Sequence, residues 1–495
     1  MNETKDVPSR AGTRPRGGRR RRDRTTLAAL TLAVALSAAG CSGSSGDDST
    51  GTSISYYVNA DSVASSKEAA ATCSKDSGGR YHIDVVTLPK SADNQRLQMA
   101  RRLAGGDKSL DLLSLDVVWT AEFANAGWLR PVPDSIAQTI EQTTLAGPLA
   151  TARWKTAVDP EARLYAIPAW TNTQLLWYRP DLMERYLGSA TPPTTWDEIL
   201  ADTEKIRAAG GPSWIMVQGK QYEGLMVWFN SVLASAGGAV LDPANPTHQT
   251  LTDTPEHRAA TIRALTVIKQ VATAPGHDPS ISNSDESSDR LGMESGKAAF
   301  ELNWPFVYPS MRSNSAAGSV PFLPEMTRYA SQLAEGGPDP SPAELAEMTA
   351  VVAKKFAFAP YPGVISAETA RTTPGGTNIA VASTSTHPEL AWTAAQCLTN
   401  AASQRTYAVD GGNPPTLSAV YDDPAFKEVY PMGDIIRDQL TAQHSSPRPA
   451  SPQYQTISTL ITAKLSPVGA WDPATKADDL ATAVDNALRG EGLVP

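Results

Sequence analysis

The sequence predicts an α/β fold built on a doubly wound parallel sheet. From residue 52 onward, short apolar runs alternate with longer amphipathic ones, and Gly-Gly or Pro pairs separate them, which reads as strand, helix, strand, helix, strand. ISYYVNA has the composition of a strand, and ADSVASSKEAAATCSKDSGG that of a helix stopped by Gly78-Gly79. RYHIDVVTLP is the second strand. SADNQRLQMARRLAGG is a helix opened by Ser91 and closed by Gly105-Gly106, and LDLLSLD is a continuous apolar strand of the kind buried on both faces.

Further along, VWTAEFANAG reads as a helix and LYAIPAWTNTQLLWY as an extended passage. In PPTTWDEILADTEKIRAAGG the prolines end the preceding element, Thr195 and Glu198 have capping-box spacing, and Gly210-Gly211 stops the helix. SWIMVQG is a strand. YEGLMVWFNSVLASAGG and TPEHRAATIRALTVIKQVATA are helices whose aromatic and aliphatic faces belong first to the core. The Gly-, Pro- and Ser-rich stretch from Ser313 to Pro342 reads as a surface excursion, and no internal repeat is present.

The N-terminus is of another kind. RPRGGRRRRDR precedes TTLAALTLAVALSAAG, a basic segment followed by an apolar one too short to span a bilayer, as in a secretory signal. Cys41 then opens a spacer of Ser, Gly, Asp and Thr suited to a flexible tether. The sequence so divides into a signal at 1–40, a tether at 41–51 and a folded body. Residues 1–40 hold nine Lys and Arg against three Asp and Glu, so the remainder carries −15 where the whole chain carries −9. An acidic body of this kind argues against nucleic acid as a partner and leaves neutral or cationic small molecules. Cys73 and Cys397 would lie in an oxidising compartment, where either a disulfide or two buried thiols fits the sequence.

No constellation of catalytic groups is apparent. The six histidines are scattered without HExxH or metal-ligand spacing, and no P-loop, GxGxxG or GxSxG occurs. The expectation is therefore no catalytic residue, no metal and no cofactor, although carboxylates paired only in space would escape this reading. In open α/β sheets, ligands bind beyond the carboxyl ends of strands. Asp116 stands at that place, closing LDLLSLD, where it either caps the following helix or grips a ligand. Nearby Trp119 is either a stacking platform or core.

DLLSLDVVWTAEFANAGWLRPV resembles the signature segment of extracellular solute-binding proteins of the maltose-binding type. LYAIPAWTNTQLLWYRPDLM with PPTTWDEI, then MESGKAAFELNWPF, then TPGGTNIAVASTSTHPELAWTAAQCL are similar to the blocks that follow it, in the same order. Ala38-Ala39-Gly40-Cys41 resembles a bacterial lipoprotein cleavage box, with Ala38 where Leu is usual. The resemblance implies a two-lobe periplasmic-binding-protein-like fold with a hinge of several crossovers. It places the N-terminal lobe at 52–170 plus 360–386 and the C-terminal lobe at 171–359 plus 387–495. It also implies a carbohydrate ligand contacted by Asn59, Asp61, Asp116, Asn172 and a stacking Trp304, with Gly375 and Gly376 bringing backbone close. Within the family, the actinobacterial trehalose-binding lipoproteins are most similar, and in them a late arginine reaches the disaccharide. Arg448 in QHSSPRPASPQYQ is the matching residue and Arg437 the second choice.

Asp accepts strongly from hydroxyls, Asn donates and accepts, and an indole covers the apolar face of a sugar ring, so these residue types suit that ligand. The resemblance further implies ABC permease and ATPase subunits as partners, a monomer, and acylation of Cys41 that holds the protein to the outer face of the cell membrane. Two other classes remain compatible with the sequence: an anchored hydrolase of envelope glycans, and a binder of a non-sugar solute such as a polyamine or peptide.

Overall fold

The computed structural model describes residues 51–491, except 157, 160, 335, 336 and 339. The signal segment, Cys41 and the rest of the tether up to residue 50 lie outside the described residues. The described residues form one compact unit. Among the described residues, no helix is long and apolar enough to cross a membrane.

The strands of the two main sheets are, in chain order, β1 (Thr52–Val58), β2 (Tyr81–Thr87), β3 (Leu112–Asp116), β4 (Ile167–Asn172), β5 (Leu175–Tyr178), β6 (Trp214–Met216), β7 (Ala298–Asn303), β8 (Ala357–Ala359) and β9 (Gly375–Val381). The first sheet runs β2-β1-β3-β9-β4 and the second β8-β5-β7-β6. β1 lies parallel to β2 and β3, as the strand-helix alternation requires. The sheet is nevertheless mixed, because β9 is antiparallel to both β3 and β4. No helical crossover leads into β9. It arrives from the other lobe and is free to run against its neighbours. In the second sheet β7 is parallel to β6 and antiparallel to β5.

Burial explains the sequence patterns. β3 is covered on both faces, so Leu112, Leu113 and Leu115 are all fully buried and the strand shows no alternation. One core joins β1–β4 and β9 to the helices Val63–Asp76, Ala92–Ala104 and Pro388–Leu398. Cys73 and Cys397 form a disulfide between the first and last of those helices. The second lobe is built round two further cores, on opposite faces of its sheet.

LYAIPAWTNTQLLWY is extended as expected, in two strands: β4 of the first sheet and β5 of the second, separated only by Thr173 and Gln174, which form a hinge crossover. Two expectations require correction. Ser313–Pro342 is not a surface excursion: Val320, Leu323 and Met326 are fully buried against Trp177 and Phe356, because widely spaced apolar residues turn inward between the Gly and Pro breaks. The range 360–386 also misplaces the lobes. Tyr361 and Val364 pack in a second-lobe core, whereas Ala391, Trp392, Leu398 and Tyr407 pack in the first, so the chain enters the first lobe near β9 and stays there past residue 386.

Candidate functional site

A cavity of about 170 Å³ lies beyond the carboxyl ends of β1 and β3, between the two lobes. Its first-lobe wall includes Asn59, Asp116, Trp170, Asn172, Gly375 and Gly376. The second lobe contributes Tyr222, Glu223, Glu286, Trp304 and Phe306, and Arg448 closes the space between.

Asp116 holds both roles that its position allows. As the residue preceding the short 3-10 turn Val117–Trp119, it accepts a hydrogen bond from Val118 N at 3.2 Å. Its Oδ1 also accepts from Arg448 Nη2 at 2.8 Å. Arg448 Nη1 reaches across to Glu223 Oε1 at 2.7 Å. One buried guanidinium therefore ties together an acid from each lobe. Arg448 is delivered by a segment that pairs with the chain just before β9, where Thr372 N donates to His444 O at 2.8 Å and Ser446 N donates to Thr372 O at 2.7 Å.

Glu223 begins the helix Glu223–Ser235 and is 6% exposed. Its Oε2 accepts from Ser458 Oγ at 2.6 Å, and Tyr454 Oη donates to its Oε1. Burial pushes the Glu223 carboxyl above its ordinary range, with Arg448 opposing and Asp116 adding to the rise. Burial alone would lower the Arg448 guanidinium, but Asp116, Tyr454 and Glu223 hold it above its ordinary value. Arg448 is thus a fixed cation, and the more exposed Asp116 is its principal counter-charge.

Trp304, directly after β7, lines the same cavity. Asn303 Oδ1 accepts from its backbone N at 2.8 Å and fixes the turn. A Cβ at Gly375 would lie 3.1 Å from the Trp304 ring, so glycine there permits the indole to cover the backbone. Gly376 has φ +128° and a Cβ on it would sit 2.5 Å from Trp170 O, which excludes any side chain. Behind Trp304, Asn303 Nδ2 donates to Glu301 Oε1 at 2.7 Å, and Gln218 Nε2 donates to Asp289 Oδ2 at 2.8 Å. Both acids are completely buried. Burial pushes Glu301 up to about 8 and Asp289 well above the carboxylate range, the latter helped by Glu301 itself.

Most of the residues singled out from sequence converge here: Asn59, Asp116, Asn172, Trp304, Gly375, Gly376 and Arg448. Asn59 and Asn172 are partly committed to local backbone, accepting from Ser62 N at 2.8 Å and Thr173 N at 3.1 Å. Trp119 is not brought to the cleft. It is 3% exposed and stacks on Phe123 in the first-lobe core, because the 3-10 turn carries its side chain back under the sheet. Arg437 also lies elsewhere, paired with Asp422 at 2.8 Å. Asp61 belongs to the turn Ala60–Ser62, and its side chain lies outside what is described. Sequence reading missed Glu223, Trp170 and Glu286. A signal existed for Glu223, the one charged residue in the otherwise apolar run EGLMVWF.

Among the described residues, no cluster of His, Cys, Asp or Glu could hold a metal ion. The arrangement offers hydrogen-bond donors, acceptors and an indole in one cavity.

Known proteins share this architecture. A probable ABC transporter-binding protein of Deinococcus radiodurans is 26% identical over 401 residues, covering 78% of this chain and 80% of its own. The solved structure of maltose-bound Thermotoga maritima MalE3 superposes with a TM-score of 0.69 at 23% identity, covering 89% of this chain and 99% of that one. The acarbose-binding GacH receptor of Streptomyces glaucescens does so at 0.67 and 18% identity, over 90% and 100%. At these identities the solved structures establish the two-lobe fold. The family model for bacterial extracellular solute-binding proteins matches residues 79–405, and the chain belongs to that family.

Proposed function

We propose that this protein is the ligand-capturing component of an ABC importer and that it takes a carbohydrate, trehalose or a related α-linked disaccharide, between its lobes. The observation that carries the reading is the Asp116–Arg448–Glu223 bridge in a cleft that Trp304 also lines. Sugar hydroxyls donate and accept at once, so a guanidinium flanked by two carboxyl groups offers both complements within one ligand's reach. An indole in the same cavity suits the apolar face of a pyranose ring. The names of the related proteins, an ABC transporter-binding protein and receptors bound to maltose and acarbose, support the same class.

We also retain the anchor: acylation of Cys41 would keep the body beside its permease on the outer face of the membrane. Detergent partitioning of the mature protein, lost in Cys41→Ala, is the expected result. A variant that stays membrane-bound after export overturns the anchor.

Thermal-shift screening of the body against disaccharides and polyamines tests the ligand class. Stabilisation by an α-linked disaccharide and none by amines is expected. The reverse pattern removes the carbohydrate reading. A hydrolase would need two acids flanking a bond, and Asp116 with Glu223 is the pair that favours it. Both, however, are engaged by Arg448. Intact disaccharide recovered after prolonged incubation is the outcome that capture without cleavage requires.

A further inference from the structure

Two buried amides of the second lobe join the same pair of elements, the end of β7 and the helix Glu286–Glu294. The first is Asn303. Its Oδ1 accepts from Trp304 N at 2.8 Å, while its Nδ2 donates to Glu286 O at 3.0 Å and to Glu301 Oε1 at 2.7 Å. Trp304 and Glu286 both line the cleft, so one amide fixes the backbones of two cleft residues that come from different elements. Gln218 repeats the arrangement one step inward. Its Nε2 donates to Leu302 O and to Asp289 Oδ2, each at 2.8 Å, and its Oε1 accepts from Gln174 Nε2 at 2.6 Å. Gln174 belongs to the crossover between β4 and β5. Two side chains thus tie the hinge crossover, the helix and the end of β7 together.

Stability alone does not require such a clamp. Apolar groups of the same shape would fill the space at little net cost, since replacing both partners of a buried hydrogen bond is close to neutral. What the amides add is direction: both polar hydrogens and the oxygen of each are committed, which admits one orientation of the turn. That orientation matters at Trp304, whose ring lies so near Gly375 of the first lobe that a Cβ there would approach it to 3.1 Å. A tilted turn would displace the indole from both the ligand and the facing lobe. We propose that Asn303 and Gln218 are positioning residues for ligand capture, which set the spacing of Trp304 and Glu286 and register both to the hinge crossover at Gln174. This rests on the carbohydrate reading above and extends it from the residues that touch sugar to those that place them.

The test labels the full-length protein with 5-fluorotryptophan and titrates it with trehalose by calorimetry. The fluorine resonances of Trp304 and Trp119 are assigned by their loss in Trp304→Phe and Trp119→Phe. Gln218→Met and Asn303→Leu should each shift the Trp304 resonance in the ligand-free protein and leave that of Trp119, in the first-lobe core, in place. Each should also weaken trehalose binding at least about tenfold. Gln174→Met, which cuts only the bond at the hinge, should weaken binding in the same direction, and wild-type affinity in that variant overturns the tie to the hinge. Melting curves identify a variant that fails to fold, and the others then decide. A Trp304 resonance that stays in place, or trehalose affinity within about twofold of wild type, overturns the positioning role however far the melting temperature falls, and leaves the carbohydrate reading standing. A resonance that shifts in variants of a protein that binds no trehalose at any concentration supports the clamp on Trp304 and overturns the carbohydrate reading instead.

Discussion

Asp116 shows how one carboxylate serves two purposes that sequence presents as alternatives. It caps a turn and pairs with Arg448, and the two roles separate by substitution. Asn at this position keeps a capping oxygen but loses the charge. Asp116→Asn should therefore hold its melting temperature close to wild type while binding sugar roughly 10- to 150-fold more weakly, the range for losing a charge-assisted bond of about 1.5–3 kcal/mol. Asp116→Ala should lose both, adding about 1 kcal/mol of destabilisation from the missing cap. Calorimetric titration with parallel thermal unfolding separates the effects. Near-normal affinity in both variants would take Asp116 out of the binding site.

At the scale of elements, the strand β7 and the helix Glu286–Glu294 enclose the buried acids Glu301 and Asp289 behind Trp304. Each carboxyl has a raised pKa in the folded protein, so the fold binds protons that the unfolded chain has already released. Stability from Glu301 is complete below its unfolded value near 4.5 and is lost as pH rises toward about 8. Denaturant titrations at intervals from pH 5 to pH 8 should show wild type losing stability more steeply than Glu301→Gln. Parallel curves for the two proteins would mean that Glu301 is not protonated in the fold. The disulfide acts at the same scale: it joins two cysteines 324 residues apart in sequence, on helices that share the first-lobe core. Replacing both cysteines with serine should cost about 2–5 kcal/mol, measured by the same titrations, and leave the sheet intact.

For the whole molecule, the chain crosses between lobes at 172–175, again before β9, and once more beyond Tyr407, so the lobes are tied by several strands and not by one linker. Several short crossovers confine motion to a hinge. A ligand that touches Asp116 and Trp304 together binds the closed arrangement better than an open one and shifts the population toward it. Small-angle scattering should therefore give a smaller radius of gyration at saturating sugar. An unchanged radius would point to a rigid pocket.

Local pattern alone reveals the alternation of strands and helices, the apolar β3 ending in Asp116, the capping box at Thr195 and Glu198, and the ordered blocks that place the chain in its family. These are local patterns, fixed by side-chain period and by Gly and Pro breaks that neighbouring residues can report. The meeting of Asp116, Glu223 and Arg448 had no such signature, since each lies more than a hundred residues from the next and only the packing of two lobes brings them together. The same holds for the two tryptophans. Trp119 and Trp304 both follow strands, but the turn after β3 rotates one indole into the core, while the turn held by Asn303 leaves the other facing the cleft. The direction of β9 was likewise decided by the return from the second lobe, because a strand's composition is indifferent to whether its neighbours run with it or against it.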